Sequence, residues 1–281
     1  MKNNRILAIV VTYYPEKELL ERNLFAFIDK VDKVLIWENT SEDEKLSYRF
    51  INHQKAEYCG DGINSISHAL NYAWHYAERN HYEYLLTMDQ DSVFKNFTDY
   101  LNETIKNPQA PKGIWSPTMI LLGHRDTREK GIRETPMAIT SGMLIHVSLM
   151  EKIGGWNEAF SVDGIDAEFC FCAKKKGVNT YQINRTHLYH QFGKQKRKSF
   201  WGHDFVLDNY CPLRYYMIYK SHVLVMRMYP EQKWFKAFFY QHRLKMICWI
   251  FLFEEHGFEK FCNILKGIIM GRLCKKPMRK N

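Results

Sequence analysis

The sequence predicts an α/β fold, in which a mixed, mostly parallel sheet is flanked by helices and followed by a basic helical extension. Short β-rich runs alternate with segments of helical periodicity over the first half of the 281 residues, as in sheets built from crossover units. The first run, Ile6–Thr12, is almost entirely apolar, which is typical of a strand covered on both faces. With 46% hydrophobic residues, the chain is long and apolar enough to bury a core.

Each further element is predicted from its own pattern of apolar residues. Leu20, Leu24 and Phe27 recur at helical spacing after the first strand, so a helix follows it. Gly177 is placed to end a later helix as its C-terminal cap. The predicted strands after Ile6–Thr12 are residues 34–37, 84–88, 113–119, 138–147 and 178–183. The predicted helices are residues 16–28, 65–79 and 167–176.

The positive charge of the chain is concentrated in its last third. The net charge is +9, but residues 1–193 carry 22 basic and 25 acidic side chains, whereas residues 194–281 carry 18 basic and 6 acidic ones. This asymmetry indicates that the C-terminal part meets an anionic surface. Nucleic acid and the cytoplasmic leaflet of a membrane are the two candidates.

The composition also indicates in which cellular compartment the protein is found. The seven cysteines include no CxxC pair, which disfavours a zinc site and a disulfide scaffold. The longest unbroken apolar run, residues 246–253, is far shorter than the roughly 20 residues that span a bilayer, so we expect no transmembrane helix. The first residues lack a secretory signal pattern, and we therefore expect a cytoplasmic protein.

Polar residues follow the predicted strands, where ligands bind in open α/β sheets. Asp89 and Asp91 come directly after a buried strand, on the same side of an extended segment, where both carboxylates can face one Mg²⁺ or Mn²⁺ ion. A solvated loop is the alternative. An EF-hand is excluded, because Phe94 stands where that loop needs Gly and Tyr100 where it needs Glu.

A second acidic cluster contains Asp163, Asp166 and Glu168 at the start of a predicted helix. Helix capping explains one or two of these carboxylates, because negative charge stabilises a helix N-terminus. A carboxylate beside a metal and phosphate site can also act as a general base toward a hydroxyl. Both Asp163 and Asp166 are candidates for that base. His190 follows another strand and could complete the metal or phosphate site, although a lone histidine is more often structural.

Eight short motifs follow one another within residues 6–220. They are Val11-Thr12-Tyr13-Tyr14-Pro15, Glu38-Asn39-Thr40-Ser41, Ala69-Leu70-Asn71, Met88-Asp89-Gln90-Asp91-Ser92, Thr140-Ser141-Gly142, Gly154-Gly155-Trp156-Asn157-Glu158, Asp166-Ala167-Glu168-Phe169 and His190-Gln191-Phe192-Gly193. This ordered set resembles the inverting glycosyltransferases of family 2, which have the Rossmann-like GT-A fold. The form Asp89-Gln90-Asp91-Ser92, together with Arg214-Tyr215-Tyr216, looks most like the bacterial rhamnosyltransferase branch.

The resemblance implies a role for each matching residue. Asp166 matches the catalytic base, and Asp91, with His190, is expected to bind Mg²⁺ or Mn²⁺. Glu38 stands where the family usually has an Asp that bonds the pyrimidine ring. The implied donor-binding residues are Thr12, Tyr14, Glu38, Asn71, Asp89, Gln90 and Asp91. The implied acceptor-side or supporting residues are Trp156, Asp163, Glu168, Ser141 and Gly142.

The resemblance also implies a division of the chain. Residues 1–220 would form the catalytic domain, with its nucleotide-sugar half at about 1–95 and its acceptor half at 96–220. Residues 221–281 would form the helical, basic and aromatic extension. There, Phe258, Phe261, Leu265 and Ile268 recur at helical spacing, with Lys260, Lys266 and Arg272 on the other face and Lys275, Lys276, Arg279 and Lys280 beyond. That pattern suits a helix lying in a membrane interface.

The residues and the resemblance together predict a metal-dependent transferase. The resemblance implies the substrates: a sugar, with L-rhamnose from dTDP-L-rhamnose as the first candidate, would be moved onto a lipid-linked glycan at the inner face of the cell membrane. It also implies a role in bacterial surface polysaccharide synthesis, such as that of O antigen or capsule. A UDP-hexose or UDP-galactofuranose donor is the nearest alternative. A role for Lys194, Lys196, Arg197 and Lys198 as a donor clamp or as a membrane contact stays open.

Other classes of function fit the sequence less well. A nucleic-acid-binding protein would need basic residues along its whole binding face, whereas the first two thirds of this chain are net acidic. We therefore expect no nucleic-acid partner. A nucleotidyltransferase would need a Gly-rich phosphate loop where Thr12-Tyr13-Tyr14-Pro15 stands. A glycoside hydrolase could use two carboxylates but needs neither metal nor nucleotide.

Overall fold

The computed structural model describes residues 4–120, 130–190, 196–200, 203–277 and 279. The chain forms two compact units. The first unit comprises Met1–Ser161, Ile165–Gln191 and Arg279–Asn281, and the second comprises Val162–Gly164 and Phe192–Met278. Residue 220, the predicted end of the catalytic domain, lies inside a helix of the second unit, and the compositional change near residue 194 lies closer to the start of that unit.

The first unit is built on a mixed sheet, which has nine strands among the residues that the structure describes. Its strands are β1 Ile6–Thr12, β2 Lys33–Glu38, β3 Ala56–Cys59, β4 Tyr84–Asp89, β5 Ser92–Phe94, β6 Ile114–Ile120, β7 Gly131–Thr135, β8 Met143–His146 and β9 Thr180–His190. The order is β3-β2-β1-β4-β8-β6-β9-β5, with β7 also paired to β9. Strands β3, β2, β1 and β4 run parallel, so their carboxyl ends share one edge of the sheet.

Helices cover this sheet, and its central strands are buried. All seven residues of β1 are buried, in agreement with their apolar sequence. The helices of the first unit are α1 Lys17–Phe25, α2 Ile66–Arg79, α3 Phe97–Glu103, α4 Val147–Ile153 and α5 Ile165–Lys175. Ser65 caps α2 by accepting a hydrogen bond from the backbone N–H of His68 at 3.4 Å.

The second unit contains a strand pair followed by helices. Its elements are β10 Lys196–Phe200, β11 His203–Leu207, α6 Pro212–Met228, α7 Lys233–Phe238, a π-helical turn Phe239–Arg243, α8 Leu244–Phe253 and α9 Gly257–Leu273. Helices α6 and α9 approach closely at two glycines. A Cβ atom at Gly267 would lie 2.5 Å from the carbonyl oxygen of Tyr216, and one at Gly271 would lie 2.7 Å from that of Lys220. Glycine is therefore required at both contacts.

The predicted fold class, a mixed α/β sheet flanked by helices and followed by a helical extension, is confirmed. The predicted strand 138–147 is shorter in the structure, because Gly142 has a φ of 82° and turns the chain before β8. The strand predicted at 178–183 instead runs to His190, across a register shift opposite Pro117 and Thr118. Strands β3, β5 and β7 escaped prediction because they are short and lack an apolar run.

Helix α9 differs from its predicted amphipathic pattern. The prediction that Lys260 lies on the solvent face is wrong, because its ammonium is buried and binds Glu254 at 2.9 Å and Asn209 Oδ1 at 3.0 Å. Phe261 and Ile268 are half-buried rather than at the surface. The exposed apolar face of α9 consists instead of Phe258, Leu265, Ile269 and Leu273. In the part of the chain that the structure describes, no helix has both the length and the hydropathy needed to cross a bilayer.

Candidate active site

A potential metal site lies at the ends of strands β4 and β9. One ligand atom each from Asp89, Asp91 and His190 lie within 4.8 Å of one another. Residues 89 and 190 are brought together by the pairing of β5 with β9, which sets Ser92 opposite His190. The Oδ1 atom of Asp91 is 3.4 Å from Nδ1 of His190, and Ser92 Oγ is 2.7 Å from that nitrogen. Two carboxylates and an imidazole are a donor set suited to a divalent cation.

The carboxylate of Asp91 is poorly solvated at this position. Burial raises its pKa above the ordinary value, and the imidazole of His190 opposes the shift. A divalent cation binds the deprotonated carboxylate, so metal binding would restore the charge that burial disfavours. The cluster therefore has the geometry of a potential cation site.

Backbone hydrogen bonds hold Asp89 in place. Its N–H donates to Ser141 Oγ at 3.0 Å, and its carbonyl accepts from Asn23 Nδ2 at 2.5 Å. Ser141 is fully buried, and the adjacent Gly142 packs so closely that a Cβ atom there would lie 2.7 Å from Pro117 Cγ. Ser141 and Gly142 therefore support the end of β4 from within the sheet.

The same short segment also orients Asp166. The N–H of Thr140 donates to Oδ1 of Asp166 at 2.8 Å, and the hydroxyl of Thr140 donates to the same oxygen. Thr140 is itself held by its carbonyl, which accepts from Thr87 Oγ1 at 2.5 Å. Two consecutive residues, Thr140 and Ser141, thus bind Asp166 in the first turn of α5 and the backbone of Asp89 at the end of β4.

Gln90, between the two carboxylates, joins two strand ends. Its Oε1 accepts from the N–H of Tyr13 at 2.6 Å, and its Nε2 donates to the carbonyl of Tyr13 at 3.1 Å. Thr12, at the end of β1, is buried and donates to the carbonyl of Trp37 at 3.0 Å. Both side chains therefore bind protein backbone in the structure and shape the edge where β1, β2 and β4 end.

A group of hydrogen-bonded polar side chains follows β1 and β2. Tyr14 has a φ of 45°, its N–H donates to Thr40 Oγ1 at 3.0 Å, and its hydroxyl donates to Glu44 at 2.8 Å. Glu38 is buried and accepts two hydrogen bonds from Arg49, at 3.0 and 2.7 Å. These bonds to Glu38 raise the pKa of Arg49 above its ordinary value. Sequence reasoning missed Arg49, which has no motif around it and reaches Glu38 only through the fold.

Asn71 binds the turn between α4 and α5 rather than facing the metal site. Its Oδ1 accepts from the N–H of Trp156 at 2.7 Å, and its Nδ2 donates to the carbonyl of Trp156 at 2.9 Å. The indole ring of Trp156 stacks on Phe169 of α5, with ring centroids 4.5 Å apart and planes 13° from parallel. Asn71 therefore fixes the position of Trp156, whose ring in turn packs against α5.

The other two acids of the second cluster are paired with arginines. Within the second unit, Asp163 Oδ2 is 3.1 Å from Nε of Arg214. Within the first unit, Glu168 is buried and accepts from Arg279 at 3.0 and 2.6 Å. The prediction that Arg279 belongs to a membrane-facing basic set is therefore wrong.

The motif residues 191–193 and Lys194 lie outside the described residues, whereas Lys196, Arg197 and Lys198 form part of β10.

Comparisons with known proteins relate this geometry to a family. The chain is 23% identical over 220 residues to a curated protein of Shigella flexneri, the dTDP-rhamnosyl transferase RfbF, a match that covers 70% of this chain and 72% of the relative. No family model matches the sequence. Among solved structures, GalNAc-T7 with UDP, GalNAc and Mn²⁺ has a TM-score of 0.62 at 11% identity, over 86% of this chain and 51% of GalNAc-T7, so the chain spans about half of that protein.

Two further structures are similar over nearly the whole chain. TarS residues 1–349 of S. aureus, in complex with UDP-GlcNAc, has a TM-score of 0.54 at 14% identity and covers 95% of this chain and 81% of its own. The chain has the GT-A fold. The mannosyltransferase PcManGT of Pyrobaculum calidifontis, in complex with GDP-Man and Mn²⁺, also has a TM-score of 0.54 at 14% identity, over 95% of this chain and 73% of its own.

These similarities bear on four predictions. The predicted GT-A fold and the predicted resemblance to the rhamnosyltransferase-like glycosyltransferases are confirmed. The curated relative and the structural neighbours are glycosyltransferases, which confirms the predicted enzyme class. Two of the neighbouring structures contain Mn²⁺, and the Asp89, Asp91 and His190 cluster is consistent with a divalent cation in this GT-A protein.

Proposed function

We propose that the chain is an inverting, metal-dependent glycosyltransferase that moves a sugar from a nucleoside diphosphate onto a hydroxyl of a glycan acceptor. One observation carries this proposal: Thr140 and Ser141 hold Asp166 and the Asp89 end of β4 at the same time. The same short segment thus supports both the proposed base and the strand end that carries the proposed cation site. The curated dTDP-rhamnosyl transferase relative supports the same reaction.

The proposed metal ligands are Asp91 and His190, with Asp89 next to them toward the ribose of the donor. Their two carboxylates and imidazole fit Mn²⁺ or Mg²⁺. A divalent cation bound there would neutralise the charge that develops on the leaving diphosphate. Ser92 orients His190 through the 2.7 Å contact between Oγ and Nδ1, so the imidazole is held in place before a donor binds.

Asp166 is the proposed catalytic base. An acceptor hydroxyl must lose its proton as it attacks the anomeric carbon, and a carboxylate within hydrogen-bond reach can take that proton. Attack from the face opposite the diphosphate inverts the anomeric centre, through an oxocarbenium-like state. The two hydrogen bonds from Thr140 to Oδ1 fix the orientation of the carboxylate.

A pyrimidine nucleotide is the proposed donor head group, with dTDP-L-rhamnose as the first candidate and a UDP-hexose or UDP-galactofuranose as the second. Glu38 and Tyr14 lie at the ends of β2 and β1, where a base would bind in this fold. The two hydrogen bonds from Arg49 fix the position of the Glu38 carboxylate, so that it can accept from a ring N–H of the base. The name of the curated relative favours dTDP-rhamnose.

Release of nucleoside diphosphate from a panel of dTDP- and UDP-sugars, with and without Mn²⁺ or Mg²⁺, tests the proposal. Slow hydrolysis of the donor by water makes this assay independent of the acceptor. Metal-dependent release from one donor identifies both the class and the sugar. Absence of release and of binding for every donor would contradict the proposed function.

We place the acceptor, a lipid-linked glycan of bacterial surface polysaccharide synthesis, at an anionic membrane surface. The exposed apolar face of α9 consists of Phe258, Leu265, Ile269 and Leu273, which are 70, 42, 54 and 74% exposed. Exposed Lys266 and Arg272 lie on the same helix. An apolar helix face beside basic side chains is the pattern of an interfacial helix on an anionic leaflet. The proposed location is therefore the inner face of the cytoplasmic membrane.

The double variant Leu265→Glu/Ile269→Glu is expected to bind anionic liposomes at least about tenfold more weakly than wild type, because two charges replace apolar side chains at the lipid boundary. Flotation with phosphatidylglycerol vesicles measures this. Leu46→Glu is the control, since Leu46 is 71% exposed in the first unit and is expected to leave flotation unchanged. Undiminished flotation of the double variant would rule out α9 as the membrane contact.

A further inference from the structure

Arg279 is half-buried in the first unit, between α5 and the turn that follows α4. Its guanidinium forms a two-point contact with Glu168, from Nε to Oε1 at 3.0 Å and from Nη2 to Oε2 at 2.6 Å. Its third nitrogen, Nη1, donates to the carbonyls of Ile153 and Gly155 at 2.9 and 2.7 Å. The side chain is only 12% exposed, and all three of its nitrogens bind protein atoms of the first unit.

Glu168 depends on this contact because of its burial. Its side chain is 1% exposed, and burying a carboxylate to that degree is costly unless the charge is paired. Glu168 lies on α5, two residues after Asp166, in the first turn of the helix. A change in the charge or position of Glu168 is therefore transmitted directly to the turn that carries the proposed base.

The turn containing Gly155 and Trp156 is held from two directions. Arg279 binds the carbonyl of Gly155, while Asn71 binds both the N–H and the carbonyl of Trp156. Gly155 has a φ of 69°, and a Cβ atom there would lie 2.6 Å from Asn71 Oδ1. Trp156 in turn stacks on Phe169 of α5. The turn and the start of α5 are thus joined by the hydrogen bonds of Arg279 and by the stacking of Trp156 on Phe169.

We infer that Arg279 is a positioning residue of the transferase site. It neutralises Glu168 and joins the start of α5 to the Gly155 turn, and by doing so it holds Asp166 in the geometry that proton transfer requires. This inference rests on the proposed function, because it assigns Asp166 the role of base. Arg279 acts through Glu168 and the backbone, without touching the substrate.

The test compares Arg279→Gln, Glu168→Gln and the double variant. Arg279→Gln leaves a buried carboxylate without its cation, and a displaced base lowers kcat by about 10²-fold. The KM for the donor and the affinity for Mn²⁺ stay at wild-type values, because Asp91 and His190 belong to other strand ends. In the double variant no charge is buried alone, so at least about tenfold of the lost kcat returns. Arg279→Lys gives an intermediate loss, since an ammonium cannot form the two-point contact.

Arg79→Gln is the matched control. Arg79 is an exposed arginine of α2 whose Nε donates to the carbonyl of His75 at 3.2 Å, so the substitution removes the same charge and a comparable backbone contact. Its kcat is expected to equal that of wild type. Wild-type kcat in Arg279→Gln would overturn the inference, as would a double variant no more active than Arg279→Gln.

Failure of the proposed function gives results that differ from failure of this inference. If wild type releases no nucleoside diphosphate from any donor, the proposed function fails, and thermal unfolding then tests the contact itself. A melting temperature of the double variant above that of Arg279→Gln supports the coupling of residues 168 and 279. A melting temperature equal to or below that of Arg279→Gln overturns it.

Discussion

Asp91→Asn is expected to lower metal-dependent release of nucleoside diphosphate by about 10³-fold in kcat/KM, or ~4 kcal/mol of transition-state stabilisation. The substitution keeps the shape of the side chain and removes its charge. Asp91 Oδ1 lies 3.4 Å from His190 Nδ1, so the lost oxygen charge belongs to the centre of the proposed cation site. Release from the preferred donor, measured across a Mn²⁺ titration, gives the loss.

Two further measurements make this prediction specific. Mn²⁺ binding, followed by electron paramagnetic resonance, should weaken in parallel with turnover in Asp91→Asn. Asp99→Asn is the control, because Asp99 is an exposed carboxylate on α3 and should leave both quantities unchanged. Full metal stimulation of turnover in Asp91→Asn would mean that the cation, if one is used, binds elsewhere.

Asp166→Asn is expected to lower kcat for sugar transfer by about 10²–10⁴-fold, the contribution typical of a positioned general base. Asparagine retains an oxygen that can accept from Thr140, but it cannot take a proton from the acceptor hydroxyl. Donor KM and Mn²⁺ affinity should remain at wild-type values, because the metal ligands are unchanged. Steady-state kinetics with donor and water, or donor and acceptor once known, measures the split between kcat and KM.

The control for Asp166 is Glu151→Gln, which removes an exposed carboxylate on α4 and should have wild-type kinetics. Asp163 is the rival base from the sequence, and in the structure it pairs with Arg214 at 3.1 Å. A wild-type kcat for Asp166→Asn together with a large loss for Asp163→Asn would transfer the role of base to Asp163.

The sequence predicted the parts of the site that depend on strand ends. The buried parallel strands β1, β2 and β4 have apolar sequences that stand out from their flanks, so the polar residues that follow them are readily located. Asp89 and Asp91 were found in this way. The strand that carries His190 was predicted to end at residue 183 and extends to His190.

The contacts that hold the site together escaped prediction for a physical reason. The pairs Glu38 with Arg49, Gln90 with Tyr13, and Glu168 with Arg279 join residues that are 11 to 111 positions apart. No local periodicity encodes such pairs, because they arise only when the sheet and its loops have assumed their register. Lys260 is a further example. Helical spacing predicted that it lies on the surface, whereas in the structure it is buried and pairs with Glu254.

The proposed mechanism depends most on a cation bound by the ends of β4 and β9. Crystals of the protein grown with Mn²⁺ and dTDP, and measured at the manganese absorption edge, locate that ion directly. We predict one anomalous peak in contact with Asp91 and His190, at roughly 2.0–2.3 Å from their ligand atoms, with the diphosphate on its open side. A manganese peak away from both residues, with dTDP bound, would contradict the proposed metal site and the mechanism built on it.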